Sequence, residues 1–395
     1  MEQFYVLSVF DAIGLFVAYV FVISLRLYPR LYHRKYARHF RHDYAPHVSI
    51  FIPCKGVDEQ FEGNLRAFLR NHYPKARLFF IVENQRDAAY PMLRQYLKDA
   101  ENAHLVVAGL AKTCGQKNHN LLQGIKASEE RADVYLFLDA LTTLSTQQFC
   151  DLIRPLSHPK ITAAVGFRWN ILRKKTLGER LHAFMIGMQY SAMNCIFVSA
   201  VWGGATAIRR EDFEKMGVRE YWAKTVVDDM TLQRMIQQQR RRAVFVPTCV
   251  KETPHAIDTV RGALVWFTRQ MLYVKYYLRP SWLALLALFA YAAANLLALP
   301  ILATFALLVP GKKVALFVGM KVAFALALML CCRLLKRPTD DHHSGVSWGL
   351  LSPVYIVLMA WASLLTLFTN VMRWRGIAYH LHRNGTVKKI VRHAE

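Results

Sequence analysis

Five aspartates stand near the ends of short apolar runs or at the start of a helical stretch. In chain order they are Asp58, Asp87, Asp139, Asp228 and Asp229. A single aspartate in such a place is often only a turn former or a helix cap. Several of them together indicate a ligand site, because divalent cations need oxygen ligands and sugar hydroxyls need acceptors.

The elements that must position these aspartates are apolar runs that alternate with amphipathic stretches between about residues 45 and 260. Strands are predicted over 47–53, 77–82, 104–108, 134–139 and 161–167. Helices are predicted over 61–71, 88–99 and 117–128. This alternation predicts an α/β domain with a mainly parallel sheet covered on both faces, in which ligands bind at the carboxyl ends of the strands.

The remaining apolar residues are concentrated at the two ends of the chain. Residues 4–24 are enough to cross a bilayer core of about 30 Å, provided that Asp11 faces another helix or lies near the surface. No basic segment precedes this run and no small-residue cleavage site follows it, so we expect an anchor and not a signal peptide. The basic residues of 26–41 place the following side in the cytoplasm and attract anionic headgroups.

Three further apolar blocks occupy the last third of the chain, at 282–309, 314–332 and 346–372. The second block contains Lys321 and the third is interrupted by Pro353. The aromatic-rich segment 260–278 before them is typical of an interfacial amphipathic helix. Three full crossings would put the basic residues of 373–395 outside, against the charge rule, so either the last block is re-entrant or interfacial, or the rule is broken here.

The order and spacing of several of these elements resemble the ceramide glucosyltransferases, which belong to the inverting GT-A glycosyltransferases together with cellulose and hyaluronan synthases. The resemblance covers roughly residues 5–395 and is carried by Lys55-Gly-Val-Asp58, the Asp87 region, Lys117-Asn-His-Asn-Leu121, Asp139 and Val227-Asp-Asp229. It implies a Rossmann-like GT-A domain that transfers a hexose from a UDP-sugar to a lipid hydroxyl with inversion. Ceramide is the expected acceptor, and a hopanoid or diacylglycerol is the alternative.

The resemblance also implies roles for individual carboxylates. Asp87 is expected near the nucleotide base, and Asp139 is expected to help hold the diphosphate and a divalent cation, Mn²⁺ or Mg²⁺. Such a cation would neutralise charge on the leaving diphosphate. Asp229, with Asp228 beside it, is expected to act as the general base on the acceptor hydroxyl.

Other residues take expected roles from the same resemblance. Lys55 and Lys117 would contact the diphosphate or the nucleotide, although a solvated surface lysine is nearly as good an interpretation of each. Trp202, Gly203 and Gly204 occupy the place of the family's acceptor loop, where glycines let the backbone approach the sugar closely. A simple hairpin turn explains these glycines equally well.

Two motifs depart from the wider pattern. The metal motif of this fold is Asp-x-Asp, whereas here Asp139 is followed by Ala140 and Leu141. Ceramide glucosyltransferases also have a lone aspartate at this place. The departure weakens the expectation that the activity depends on a metal. The Q-x-x-R-W element is matched by Trp266-Phe-Thr-Arg269-Gln270. Arg269 would contact diphosphate as a catalytic residue, with Trp266 and Gln270 at the donor. A purely interfacial Trp/Arg pair is the other interpretation.

The sequence therefore predicts six segments. They are an N-terminal transmembrane anchor (1–26), a basic juxtamembrane linker (27–46), a cytoplasmic GT-A catalytic domain (47–258), an interfacial amphipathic helix (259–280), transmembrane or re-entrant helices (281–372) and a basic C-terminal tail (373–395). The location expected for the whole is a membrane, and a bacterial inner membrane in particular. His255, in the loop before the amphipathic helix, is noted only as a lone histidine of the kind that is usually structural.

Composition narrows the class of function. The net charge of +24 would suit nucleic acid, but the sequence contains no nucleic-acid module and much of the charge lies beside apolar spans, which favours a membrane. The seven cysteines lack metal-ligand spacing and indicate reduced thiols. A processive polysaccharide synthase would need more spans. A catalytically inactive membrane scaffold and a protein that only binds anionic lipid remain as alternatives from other classes.

Overall fold

The computed structural model describes residues 2–70, 73–128, 132–195, 198, 200–254, 257–309, 311–337 and 342–392. The chain forms two compact units. We call one the helical unit; it comprises Met1–Pro29, Asn170–Phe197 and Pro254–Thr369. We call the other the sheet unit; it comprises Arg30–Trp169, Val198–Thr253 and Asn370–Glu395.

The sheet unit is built on a seven-stranded sheet. Its strands are β1 (Val48–Pro53), β2 (Ala76–Val82), β3 (Ala103–Val107), β4 (Val134–Leu138), β5 (Ala163–Ile171), β6 (Ala205–Arg209) and β7 (Ala243–Pro254), in the order β3-β2-β1-β4-β6-β5-β7. β1 runs parallel to β2 and β4, and β2 runs parallel to β3. β6 is antiparallel to both β4 and β5. The mainly parallel α/β fold predicted from the sequence is confirmed.

The described helices alternate with these strands and continue beyond them. They are α1 (Glu2–Lys35), α2 (Phe61–Leu69), α3 (Ala89–Tyr96), α4 (Gln116–Ala127), α5 (Thr146–Ile153), α6 (Leu177–Met193), α7 (Arg210–Lys215), α8 (Val218–Trp222), α9 (Asp229–Gln238), α10 (Val260–Tyr277), α11 (Arg279–Leu308), α12 (Lys312–Leu334) and α13 (Gly345–Leu365). The first four strands begin and end within one residue of the prediction, whereas β5 begins two residues later and ends four residues later than predicted.

Both faces of the sheet are buried, as expected for a parallel sheet between helices. Ile50 and Ile52 of β1 lie in a large apolar cluster on one face. Phe51 points to the other face and stacks between Phe79 and Phe137, with ring centroids 5.5 and 5.6 Å away. Because neighbouring side chains of a strand face opposite sides, the continuous apolar runs of the sequence are explained by burial on both.

A second, three-stranded antiparallel sheet belongs to the same unit. Its strands are β8 (Val371–Trp374), β9 (Ile377–Leu381) and β10 (Val387–Arg392), in the order β10-β9-β8. Arg375 and Gly376 join β8 to β9, and both have positive φ, which is typical of a two-residue type I′ hairpin. Residues expected as a basic C-terminal tail thus form strands; we call β8–β10 the C-terminal sheet.

Four of the described helices are long and apolar enough to cross a membrane. The helical unit contains α11, α12, α13 and the N-terminal helix as far as Pro29. Within it, α1 and α12 are linked by polar contacts. Asp11 Oδ2 lies 2.7 Å from Lys321 Nζ, and the Arg26 guanidinium donates to the carbonyl of Leu334. Tyr291 of α11 donates its hydroxyl to Asp11 Oδ1 over 2.8 Å. The predicted need of Asp11 for a helical partner is met by Lys321 and Tyr291.

Candidate functional site

The sheet unit brings five of the predicted site residues together at the carboxyl end of β4. Lys117 Nζ lies 2.9 Å from Asp139 Oδ1 and 3.0 Å from Asp228 Oδ2. The same ammonium donates to the carbonyl of Gly203 over 3.0 Å. We call Lys117, Asp139, Asp228, Asp229 and Gly203 the carboxylate cluster. It lies where a doubly wound sheet binds its ligands.

Glycines allow the chain to close around this cluster. A Cβ on Gly203 would lie 2.5 Å from Asp228 Oδ2, and a Cβ on Gly115, at the start of α4, would lie 2.2 Å from the carbonyl oxygen of Val226. Gly204 packs in the same way against the indole of Trp202, since a Cβ on Gly204 would lie 2.2 Å from the ring. The glycines predicted for close approach therefore bring backbone onto Lys117 and Asp228; an acceptor role for Trp202, Gly203 and Gly204 stays a prediction.

Asp229 is oriented by backbone amides. Gly203 N donates to its Oδ2 over 3.0 Å and Met230 N donates to its Oδ1 over 2.6 Å. Burial and the neighbouring Asp228 raise the pKa of Asp229 to about 7. A carboxyl of this kind takes up and releases a proton near neutral pH, which is what a general base requires.

Burial and neighbouring charges also shift the pKa values of Asp228 and Lys117. Burial raises the pKa of Asp228, although Lys117 partly opposes it. Burial would lower the pKa of Lys117, but the Asp139, Asp228 and Asp229 carboxylates outweigh it and raise the pKa. Lys117 therefore carries its charge at neutral pH, and the cluster holds three carboxyl groups against one ammonium.

Arg168 of β5 is a further charged side chain that the sequence analysis did not single out. Burial lowers its pKa, and the charge of Asp139 acts in the opposite direction, so the guanidinium lies within electrostatic reach of the cluster. Its only sequence signal is a basic residue directly after the predicted strand 161–167. A second cation beside Asp139 reduces the excess of negative charge in this region.

Asp139 suits a divalent cation that shares its ligands with a diphosphate. Its side chain is 36% exposed, and the described residues make a hydrogen bond to Oδ1 but none to Oδ2. No group of three His, Cys, Asp or Glu side chains with metal-binding geometry occurs in the described part of the chain. Mg²⁺ commonly uses one or two carboxylates and completes its shell with phosphate oxygens and water. A lone Asp139 fits that mode.

Lys55 and Asp87 lie together at the carboxyl ends of β1 and β2. Asp87 Oδ1 accepts from Gly56 N and from Ala89 N, both over 2.9 Å. Lys55 Nζ lies 3.5 Å from Glu83 Oε1, a residue that the sequence analysis missed. Asp87 thus holds the Lys55–Gly56 turn, and a contact with a nucleotide base stays a prediction.

Asp58 is a turn former, one of the two ordinary roles of an aspartate at the end of a strand. Its Oδ1 accepts from Gln60 N over 3.0 Å, which is a local turn contact. Among the described residues, it makes no hydrogen bond or ion pair with the carboxylate cluster. The five aspartates singled out in the sequence therefore divide into one that forms a turn, one that holds a loop and three in the carboxylate cluster.

Trp266, Arg269 and Gln270 all lie on α10, in the helical unit. The Trp266 ring is 4.5 Å from the His182 ring of α6, in an edge-to-face arrangement. The Nε of Arg269 is buried and has no hydrogen-bond partner among the described residues. An unpaired buried donor on a guanidinium suits an anionic ligand, but the donor roles of these three residues stay predictions. His255 lies outside the described residues.

The chain is similar to known proteins in sequence and in structure. The model of the family described as Glycosyl transferase family 21 matches residues 6–387. Among solved structures, the mannosyltransferase PcManGT from Pyrobaculum calidifontis, in complex with GDP-Man and Mn2+, superposes with a TM-score of 0.55 at 15% identity, covering 91% of this chain and 99% of that one. Glucosyl-3-phosphoglycerate synthase from Mycobacterium tuberculosis is 12% identical with a TM-score of 0.37, over 58% and 79% of the two chains.

Proposed function

Because the chain belongs to glycosyl transferase family 21, we propose that it transfers a hexose from a UDP-sugar to the hydroxyl of a membrane lipid, with inversion at the anomeric carbon. Sugar transfer follows from the family; the donor, the acceptor and the residue roles are the proposal. Ceramide is the proposed acceptor. The observation that carries the proposal is the carboxylate cluster, in which an oriented Asp229 titrates near neutral pH.

In this mechanism, Asp229 takes the proton from the lipid hydroxyl as the hydroxyl oxygen attacks the anomeric carbon. The bond from that carbon to the diphosphate oxygen breaks at the same time, and UDP leaves with the electron pair. Gly203 N and Met230 N hold the Asp229 carboxylate in one orientation, which favours proton transfer along a fixed line.

Lys117 acts on the leaving group. Its ammonium is fixed by Asp139, Asp228 and the carbonyl of Gly203, so its charge is available without reorganisation when the diphosphate becomes more negative. A divalent cation held by Asp139 would supply further positive charge at the diphosphate. Arg168 and the loop at Lys55 add cationic groups on the donor side.

The lipid acceptor is proposed from the apolar helices and the basic flank of α1. The four candidate spans give the chain direct access to a bilayer. We place the sheet unit in the cytoplasm, because the residues that follow the first span are rich in arginine. A soluble nucleotide sugar and a membrane lipid can then reach one enzyme from two phases.

The sheet unit limits how many times the last three apolar helices can cross the bilayer. Residues 198–253 and 370–395 belong to the same sheet unit, so we propose that the chain between them crosses the bilayer an even number of times. Three apolar helices, α11, α12 and α13, lie in that interval. If two of them cross, we propose that the third does not.

We assign the non-crossing helix to α13. Lys275, at the end of α10 and just before α11, donates to the carbonyls of Thr366 and Thr369 beyond the end of α13. At the other end, a Cβ on Gly345 would lie 3.1 Å from the carbonyl of Arg333 in α12. Both ends of α13 are thus tied to the same membrane level if α11 and α12 form a hairpin. Half of its most apolar stretch is buried, against 17% for α11 and for α12.

The topology is tested with reporters fused after Glu395. A fluorescent protein is expected to fluoresce there and alkaline phosphatase to be inactive, since both would remain in the cytoplasm. A reversed pair of results would mean that α13 crosses. Fusion at the loop between α11 and α12 is the control, because it is expected to give the reversed pair.

The function is tested with the full chain purified in detergent. UDP-glucose, UDP-galactose and UDP-N-acetylglucosamine are supplied in turn with ceramide, with and without Mn²⁺ or Mg²⁺, and the lipid products are resolved by mass. A hexosyl-ceramide that disappears in Asp229→Asn is the expected result. Release of UDP without a ceramide product would replace ceramide by a hopanoid or diacylglycerol. Absence of both UDP binding and UDP release from folded protein would favour the inactive scaffold.

A further inference from the structure

The first turn of α4, which carries Lys117, lacks a side-chain cap of its own. Its N-cap is Gly115, which has no side chain. No larger residue fits there, because a Cβ would lie 2.2 Å from the carbonyl oxygen of Val226. The backbone N–H groups of a first helical turn need partners from elsewhere. The close approach of Gly115 to Val226 therefore leaves the helix start to be satisfied by another part of the chain.

The C-terminal sheet supplies that partner. The hydroxyl of Tyr379, on β9, accepts from Gln116 N over 3.1 Å, although the two residues are 263 positions apart in sequence. Tyr379 is 1% exposed. From β10, Arg392 donates to Gln116 Oε1 over 2.7 Å and to the carbonyl of Ala111 over 3.2 Å. The residue next to Lys117 is thus held through both its backbone and its side chain.

The same sheet is tied to the segment that leads into Asp228 and Asp229. Thr225 and Thr386 form an antiparallel bridge, and Val387 N donates to the carbonyl of Lys224 over 2.9 Å. Thr225 in turn accepts from Gly115 N over 2.9 Å. The start of α4, the segment before Asp228 and the C-terminal sheet are therefore joined in one hydrogen-bonded set.

A third connection reaches the loop after β1. Arg375, in the hairpin turn between β8 and β9, donates to the carbonyl of Lys55, and Lys55 Nζ lies 3.5 Å from the carbonyl of Arg375. Arg375 has a φ of 44°, which is rare for a residue with a side chain. The turn thus keeps an arginine where glycine would be easier, and that arginine binds the Lys55 loop.

We infer that the C-terminal sheet is a positioning element of the donor site, with Tyr379 and Arg392 as positioning residues for Lys117. It holds in register three segments that bear site residues: the Lys55 loop, the first turn of α4 and the approach to Asp228. The inference rests on the proposed function for the identity of the donor. The C-terminal sheet, which follows the apolar helices in sequence, is then a part of the nucleotide-sugar site.

The inference is tested with full-length Tyr379→Phe and Arg392→Met in detergent. Tyr379→Phe deletes only the hydroxyl that caps Gln116 N, and Arg392→Lys tests whether a cation alone rescues Arg392→Met. Tyr96→Phe, which removes a surface hydroxyl bound to Glu62 and Arg66, is the matched control. The readouts are the dissociation constant of UDP by calorimetry and amide hydrogen exchange of 109–121 and 222–231.

We expect UDP to bind about fivefold more weakly to Tyr379→Phe, since one hydrogen bond to an otherwise unpaired buried amide is lost. Exchange should become faster in the two named segments and stay unchanged over β2 and α2. Unchanged UDP binding and exchange in both variants would overturn the inference, and so would a uniform acceleration throughout the chain. If either variant does not fold, the other decides.

The two proposals fail separately. Hydrogen exchange requires neither donor nor acceptor, and UDP binding requires no lipid. Lack of transfer to ceramide would count against the proposed acceptor alone. If wild-type protein did not bind UDP, the proposed donor would fall, and the exchange of 109–121 and 222–231 would still support or overturn the positioning role.

Discussion

Two lysines, one in each unit, are buried against aspartates in different ways. Lys321 of the helical unit is 3% exposed and faces Asp11 alone, and the second oxygen of Asp11 accepts from Tyr291. Lys117 of the sheet unit faces Asp139 and Asp228, and the charge of Asp229 acts on it as well. One lysine balances one carboxylate; the other stands among three.

The difference in charge balance separates a structural pair from a reactive one. The buried Asp11–Lys321 pair has no net charge that would attract a ligand. In a membrane, such a pair allows two helices to pack with polar groups between them. The carboxylate cluster has more carboxyl groups than ammonium groups, and Asp139 is partly exposed. Binding of a cation or a proton can therefore lower the electrostatic free energy of the cluster. Burial of a lysine is therefore uninformative until the surrounding charges are counted.

The largest effect that sharpens this comparison is expected for Asp229→Asn. The amide keeps the shape of the side chain but cannot accept the proton of the acceptor hydroxyl, so kcat should fall by about 10³-fold. UDP binding should stay within about twofold of wild type, which calorimetry would measure. Asp99→Asn, on the exposed surface of the same unit, is the control. Full activity of Asp229→Asn would remove this residue from the mechanism.

The second effect is expected for Lys117→Met. Without the ammonium, the cluster has three carboxyl groups and no internal counter-charge, so a diphosphate should be repelled and kcat/KM should fall by about 100-fold. Lys126→Met, exposed on the same helix, is the matched control. Steady-state kinetics with varied UDP-sugar would measure the change. A variant that keeps its donor KM and kcat would mean that Lys117 is only a structural counter-ion, like Lys321.

The third effect concerns pH. With a pKa of about 7, Asp229 is increasingly protonated below neutral pH, so kcat should fall about tenfold for each pH unit well below 7. The sign for stability is opposite. Since the pKa of this acid is higher in the fold than in the unfolded chain, its contribution to the free energy of unfolding decreases as pH rises from about 4 to 7. A rate that is constant from pH 5 to 8 would contradict the assignment.

Much of the sheet unit could be predicted because its strands are buried on both faces. Continuous apolar runs such as Phe79–Val82 are easily recognised, and the register of a parallel sheet then brings their carboxyl ends to one edge. β6, with its short run of Ala, Thr and Ile, lacks such a signal. The separate residue types of the cluster could be predicted, but not the contact between Lys117 and Asp228, since 111 positions separate them.

The C-terminal sheet could not be predicted from the sequence because its strands contain many basic residues. In β8 and β10, Arg373, Lys388 and Lys389 are exposed while Met372 is buried, so half of each strand reads as a basic tail. Short strands of this kind are stabilised by tertiary contacts and not by their own apolar content. The clearest local signal was the Arg375-Gly376 pair between alternating residues, which the sequence analysis did not use.

The smallest effect on activity is expected where the comparison predicts a purely structural role. Lys321→Met leaves Asp11 buried without its counter-charge, so the free energy of unfolding should fall by about 3–5 kcal/mol, as measured by thermal unfolding in detergent. The kcat of the surviving folded enzyme should stay within about twofold of wild type. Asp11→Asn combined with Lys321→Met should recover most of the stability, because the pair is removed as a unit. Lys313→Met, exposed at the start of α12, is the control. A tenfold loss of kcat at unchanged stability would place Lys321 in the same class as Lys117 and end the distinction.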